Sequence, residues 1–210
     1  MGRSRSSFPQ ADVRPGLTRA GFPEKLGRLS SNTTVGEALA QYYAVSGLPP
    51  DGGADDPWFS IHLGPLSLRL PNPPARRRAV FFHDANHLLT GYDTVFSSGD
   101  GYELGSGCGH YWIAWLINFM MFGLGLLVRP REIYHAFLRG RRCLSLYERT
   151  ESPRVLSEMS IAALRAQVGT DAQLVTRRAS DSFAFWFWAL AVIVPSALAV
   201  ASLTQLFIFR

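Results

Sequence analysis

The stretch Arg76-Arg77-Arg78-Ala79-Val80-Phe81-Phe82-His83-Asp84-Ala85-Asn86-His87-Leu88-Leu89-Thr90 reads as a helix, and the rest of the chain is organised around it. Val80, Phe81, Asp84, His87 and Leu88 recur at spacings of three and four, the period at which side chains share one helix face. That stripe mixes apolar groups with side chains able to bind a metal, and Gly91 follows it as a stop. His83 and His87 stand four apart, so both imidazoles project from one face and can share an ion. Asp84 is adjacent and serves as a third ligand or as a group that orients one. Two imidazoles and a carboxylate suit zinc, or iron with open coordination positions, better than magnesium or calcium. The bare spacing has a plainer reading, two hydrogen-bonded helix histidines with Asp84 paired to an arginine. The added Asp, the acids Asp93, Asp100 and Glu103 downstream and the arginine run upstream favour the metal.

Outward from this helix the punctuation is clear. Thr34-Val35-Gly36-Glu37 has the spacing of a capping box, in which hydroxyl and carboxylate satisfy the free donors of a helix start. The helix it opens should run to about Ser46, where Gly47, Pro49 and Pro50 end it. Asp51 to Pro57 reads as an exposed loop, and Ile61 to Leu70 alternates loosely enough for at most a short hairpin, closed by Pro71, Pro73 and Pro74. Downstream, Tyr92 to Tyr102 reads as a Gly/Ser/Asp loop leading into a helix that starts near Glu103. His110 stands seven residues past Glu103 and faces the same way if that helix continues. Pro130 suits the first turn of a helix ending at Gly140, and Ser160 and Gly169 bracket a short one. His62 and His135 have no partners in spacing and read as ordinary histidines.

A chain of 210 residues is long enough for one domain with a buried core. Its apolar residues gather in two blocks without charge, Tyr111 to Val128 and Phe183 to Phe209. The first is barely long enough to span a bilayer and contains Asn118, so it reads as a core helix or a wall of a lipid-binding cavity. The second, about 40 Å long as a helix, reads as a membrane anchor kinked at Pro195. Arg177 and Arg178 precede it, which places the bulk of the protein on the cytoplasmic side. The net charge of +5 comes almost wholly from arginine, with Lys25 the single lysine. No nucleic-acid-binding module accompanies it, so anionic headgroups or an acidic substrate account for it better. Cys108 and Cys143 are too few and too far apart for a disulfide framework or a cysteine zinc site. The organisation expected is therefore a tail over 1–30, a helical metal- and lipid-binding domain over 31–178, and an anchor over 179–210. The tail has no apolar core, which excludes a secretory signal; its Arg and Ser content would also fit a transit peptide.

These residues resemble the ubiquinone (coenzyme Q) biosynthesis protein 4 family. The resemblance rests on His83-Asp84-x-x-His87, on Leu89-Thr90-Gly91-Tyr92 and Thr94, and more weakly on Pro130, Leu146-Tyr147-Glu148 and Ala163-Leu164-Arg165, covering roughly Thr34 to Gly169. The family's signature places a Glu after eleven further residues. Here that position is Gly99, so either Asp100 or Glu103 takes the acidic role, Glu103 being favoured for its longer reach. The resemblance implies an all-α protein at the inner face of a membrane, bacterial or mitochondrial, a homodimer being compatible. It would hold zinc, or iron, through His83, Asp84, His87 and the acid. It also implies membrane lipid, a polyprenylated quinone precursor and other quinone-biosynthesis enzymes as partners. The activity implied is metal-dependent, and in one form oxidative, decarboxylation of a polyprenyl hydroxybenzoate, with Arg77 or Arg78 available to the substrate carboxylate. The alternatives are a non-catalytic lipid-binding scaffold for those enzymes, and a membrane-bound zinc hydrolase in which Asp84 stands where zinc proteases use Glu.

Overall fold

The computed structural model describes residues 30, 32–63, 66–92, 98–170 and 178–208. Of the expected tail over 1–30, residues 1–29 lie outside the described residues, as do Asp93, Thr94 and Arg177. The described chain is mostly helical. Helix α1 (Val35–Ser46) is followed by an antiparallel hairpin of β1 (Trp58–Leu63) and β2 (Leu66–Pro71), with Trp58 paired to Pro71 and Phe59 to Leu70. Then come α2 (Pro74–Thr90), α3 (Ser98–Ser106), α4 (Trp112–Val128), α5 (Pro130–Gly140), a 3-10 turn (Leu146–Glu148), α6 (Pro153–Glu158), α7 (Ile161–Val168) and α8 (Ala179–Ile208). The hairpin makes the fold mostly helical rather than all-α.

Local chemistry explains most of these boundaries. Both halves of the capping box form: Thr34 Oγ1 accepts from the Glu37 amide at 3.2 Å, and the Glu37 carboxylate accepts from the Thr34 amide at 2.9 Å. Gly47 then closes α1 in the left-handed conformation (φ 68°) that glycine adopts without penalty. Thr34 also bridges to Ser160, the cap of α7, so one residue joins two helix starts. Thr34→Ala should therefore lower the unfolding free energy by about 1–2 kcal/mol, the upper range for a lost cap, in a urea titration.

Two departures from the sequence expectation matter for the site. Ser98 to Tyr102 is helical, not loop, and α3 ends at Ser106. Gly107 (φ 95°) and Gly109 (φ 50°) turn the chain, so His110 is off the helix that carries Glu103. Glycine would normally disfavour such a helix, but here it permits contact between backbones. A Cβ on Gly105 would sit 2.3 Å from the Phe137 carbonyl oxygen, and one on Gly140 would sit 2.1 Å from that of Tyr102. The α3 and α5 backbones thus touch, which fixes the height of Glu103.

The core has two parts. One gathers Val35, Leu39, Phe82, Leu89, Tyr147, Leu156 and Leu164 around α1, α2 and α7. The other gathers Leu104, Phe122, Ile133, Phe137 and Phe185 where α8 crosses α4 and α5. Trp115 packs against both. The start of α8 is held by Asp181, buried in its first turn, which accepts from Arg142 Nη2 at 2.7 Å and Nε at 2.9 Å. Among the described residues one helix is long and apolar enough to cross a membrane by length and composition, Ala179–Ala199 within α8, and 11% of its most apolar 18-residue window is buried.

Candidate metal centre

His83 and His87 lie one turn apart on α2, with ring centroids 4.6 Å apart and planes at 88°. Their Nε2 atoms face each other at 3.2 Å. Each Nδ1 is already committed. That of His87 lies 3.1 Å from the Tyr92 carbonyl, and that of His83 lies 3.2 Å from Glu103 Oε1 and 3.3 Å from Oε2. A carbonyl and an ionised carboxylate only accept, so both Nδ1 atoms carry the hydrogen. Neutral rings would then aim two lone pairs at one another. A positive species must lie between them, either one proton or a metal ion.

The separation suits a metal. Two zinc–nitrogen bonds of about 2.0–2.1 Å at a near-tetrahedral angle put their nitrogens roughly 3.3 Å apart. Among the described residues no third His, Cys, Asp or Glu joins the two nitrogens in a ligand cluster. The donors present therefore fit an ion held by two imidazoles, with its other positions left to water or substrate. His83, its side chain 35% exposed, provides the approach; His87 is buried.

Glu103, 1% exposed, is the electrostatic centre of the site. Besides His83, its carboxylate accepts from Asn86 Nδ2 (3.0 Å), Asn118 Nδ2 (2.6 Å) and the Tyr147 hydroxyl (2.8 Å). Burial alone would raise its pKa, but His83 and these donors outweigh that and hold it below the ordinary glutamate value. Tyr147 is pushed well up, by burial and then by that anion. Such a carboxylate behind a histidine is the arrangement that fixes ring orientation and raises basicity in metal sites.

The same field separates the two histidines. Burial works against charge on His83, yet Glu103, with help from Asp84 and Asp100, raises it to about 9. His87, desolvated and next to a cationic His83, falls to about 4. Without metal the pair therefore holds one proton between about pH 4 and 9, in the gap between the Nε2 atoms. A divalent ion must displace it, so apparent affinity should rise about tenfold per pH unit and flatten above about pH 9. Zinc titrations across that range test the slope; a flat response would place the ion elsewhere.

Asp84 faces a different partner. Its Oδ2 accepts from the Tyr43 hydroxyl at 2.7 Å. Burial raises its pKa against the pull of His83, Tyr43 and Arg76. The Asp51–Pro57 loop, expected to be exposed, is half-buried at its start and covers this pair. A Cβ on Gly52 would lie 2.8 Å from the Tyr43 ring and 2.9 Å from Asp84. Asn72 fixes the loop by donating Nδ2 to the carbonyls of Gly53, Ala54 and Asp56.

Of the residues singled out in the sequence, His83, His87 and Glu103 converge, and Asp84 acts on His83 through space. Asp100 is buried on α3 and also acts on His83 through space, whereas Glu103 touches the ring. Arg77 donates Nε to the Asn72 carbonyl and Arg78 is exposed near Tyr111. The arginine coupled to Asp84 is Arg76, which stacks 4.1 Å over Phe59 and donates to Asn72 Oδ1. His135 and His110 are exposed, and the His110 ring lies against Tyr111 with centroids 4.2 Å apart.

The groups that sequence reasoning missed are Tyr43, Asn86, Tyr147 and Arg139, together with the contact that Asn118 makes. Arg139 donates to the carbonyls of Thr90 and Thr170 and lies 5.3 Å over the Tyr92 ring, securing the residue that holds His87. Asn86 alone carries a usable signal, lying one turn from both Phe82 and Thr90 on the buried face of α2; the others come from distant segments. No family model, curated protein or solved structure matches the chain.

Proposed function

We propose that the protein binds a divalent metal, zinc foremost and iron as the alternative, between His83 and His87, and acts at a membrane on a lipid-tailed aromatic acid. The observation that carries this reading is the pair of Nε2 atoms facing at 3.2 Å with both Nδ1 atoms already donating. Together with the resemblance in the His83-to-Tyr92 stretch, it favours decarboxylation of a polyprenyl hydroxybenzoate in ubiquinone biosynthesis. A bound ion would act as a Lewis acid toward the carboxylate or phenolate of the ring.

The protein's own residues supply the rest. Glu103 fixes His83 and balances the charge of the ion, while the Tyr92 carbonyl fixes the tautomer of His87. Arg77 and Arg78 in the first turns of α2 add positive charge that favours an anionic head group, while Arg76 is taken up by Asn72 and Asp84. The cleft of about 370 Å³ lined by Trp115, Leu116, Phe119 and Trp188 is apolar and open, and suits part of an isoprenoid chain. One observation favours the scaffold reading: Glu103 already has four donors, as a purely structural site would. Against a peptidase, Asp84 is engaged by Tyr43 and covered by Gly52.

Elemental analysis of the purified full chain should find about one metal per chain, and His87→Ala should lose it. In a strain lacking the gene, wild type should restore quinone synthesis and His87→Ala should leave a prenylated benzoate to accumulate. Equal rescue by both would support the scaffold, and an unchanged quinone profile in the deletion would sink the biosynthetic reading.

A further inference from the structure

We infer that α4 lies within one leaflet of a bilayer beside α8, with its outer face in contact with lipid chains. This rests on the reading that α8 enters a membrane, and adds that the domain carrying the metal centre is itself partly embedded.

The polarity of α4 is reversed relative to a helix on a water-facing surface. Its outward residues Trp112, Leu116, Met120, Leu127 and Val128 are 47–81% exposed, and no charge interrupts 111–128. Its polar side chain, Asn118, is instead 1% exposed and turned inward to Glu103. A soluble helix places its polar groups outside, and an apolar patch of this kind marks a binding surface.

The neighbour identifies what covers it. Trp115 stacks on Trp188 with centroids 5.7 Å apart, Phe122 packs on Phe185, and Gly123 receives Val192, whose Cγ1 a Cβ there would meet at 2.5 Å. These contacts fall between Phe185 and Val192 of α8. Phe183, the start of its uncharged stretch, lies about 14 Å along the helix from Val192, within half of a hydrocarbon core about 30 Å thick. A bilayer that receives α8 therefore receives the crossing helix at the depth of one leaflet. On α8, Phe183, Trp186, Phe187 and Leu190 are likewise bare. Arg129 and Arg131 follow α4 and Arg178 precedes α8, suitably placed for anionic headgroups.

The test uses the full chain in vesicles of phosphatidylcholine and phosphatidylglycerol, with Cys143→Ser and one spin-labelled cysteine at a time: Leu116→Cys, Met120→Cys, Ile193→Cys on α8, or Val155→Cys on α6. All four native side chains are exposed, so the labels do not disturb the core. Leu116 and Met120 labels should match Ile193, with high collision rates with oxygen and low ones with a water-soluble nickel chelate, and Val155 should show the opposite. If Ile193 is in lipid while Leu116 and Met120 meet the nickel chelate, the inference falls and the reading of α8 stands. If Ile193 also meets it, both fall. If Leu116 and Met120 are shielded from both reagents, a second protein chain covers α4 and the inference is overturned.

Discussion

Glu103→Ala should abolish zinc binding by the His83–His87 pair and lower the melting temperature by roughly 10 °C. Four donors converge on this carboxylate, and alanine leaves the Tyr147 hydroxyl, two amide side chains and the His83 ring facing a void. Removing one partner of a buried charged network costs about 3–5 kcal/mol, and in a chain of this size each kcal/mol corresponds to about 2–4 °C. Glu103→Gln keeps the volume but not the charge. His83 then loses the anion that raises its pKa, which by itself eases displacement of the shared proton, but the ion loses its balancing charge and His83 its fixed orientation, and that loss is the larger. The glutamine variant should melt much closer to wild type than the alanine variant while binding metal about 10–100-fold more weakly, the usual cost of losing a group behind a ligand. If the glutamine variant kept full affinity, Glu103 would have a role only in folding. Calorimetry and zinc titration of the two variants separate these outcomes.

How much of this centre the sequence reveals follows from which contacts are local. The histidine pair is legible because its partners are four residues apart, and helical periodicity over Val80 to Leu88 suffices to put them on one face. The choice of Glu103 over Asp100 is not legible. It depends on how α3 is docked, and that docking comes from glycines whose composition reads as a loop. Tyr147 lies 44 positions from Glu103, and Tyr43 lies 41 from Asp84. No periodicity links such residues; the packing of α1 and the 3-10 turn against α2 brings them in. The arginine run is legible as a charged helix entry, but which arginine turns inward is not. Phe59 on the hairpin selects Arg76, and the place of Phe59 is set by strand pairing with Leu70 rather than by anything on α2.

The apolar blocks illustrate the opposite limit. Composition alone separates Phe183 to Phe209 from the rest, and the helix over Ala179–Ile208 follows it closely. Composition cannot say which side of Tyr111 to Val128 faces the protein. Asn118 looks like a flaw in an apolar run, and in the structure it is the residue that ties that helix to Glu103.

Gly140→Ala should be destabilising, although helix propensity predicts the reverse. Gly140 ends α5 among helical residues, where alanine is intrinsically better by about 1 kcal/mol. Its missing Cβ, however, is where the Tyr102 carbonyl oxygen lies: an added carbon would be 2.1 Å from that atom and 2.9 Å from the Ser106 amide nitrogen. Neither is the end of a flexible side chain, so α3 and α5 must move apart. Overpacking a core typically costs about 1–3 kcal/mol, and a collision between backbones belongs at the upper end or beyond. The net expectation is a loss of about 2–3 kcal/mol in urea unfolding. Gly105→Ala, 2.3 Å from the Phe137 carbonyl oxygen, should behave alike, while Gly101→Ala, 3.1 Å from that of Ile133, should be much milder. The displaced element carries Glu103, so metal affinity should fall in the same order as stability. A stabilised Gly140→Ala, or a Gly101→Ala as damaging as the other two, would show that α3 and α5 do not meet backbone to backbone, and Glu103 would lose the support that sets its distance from His83.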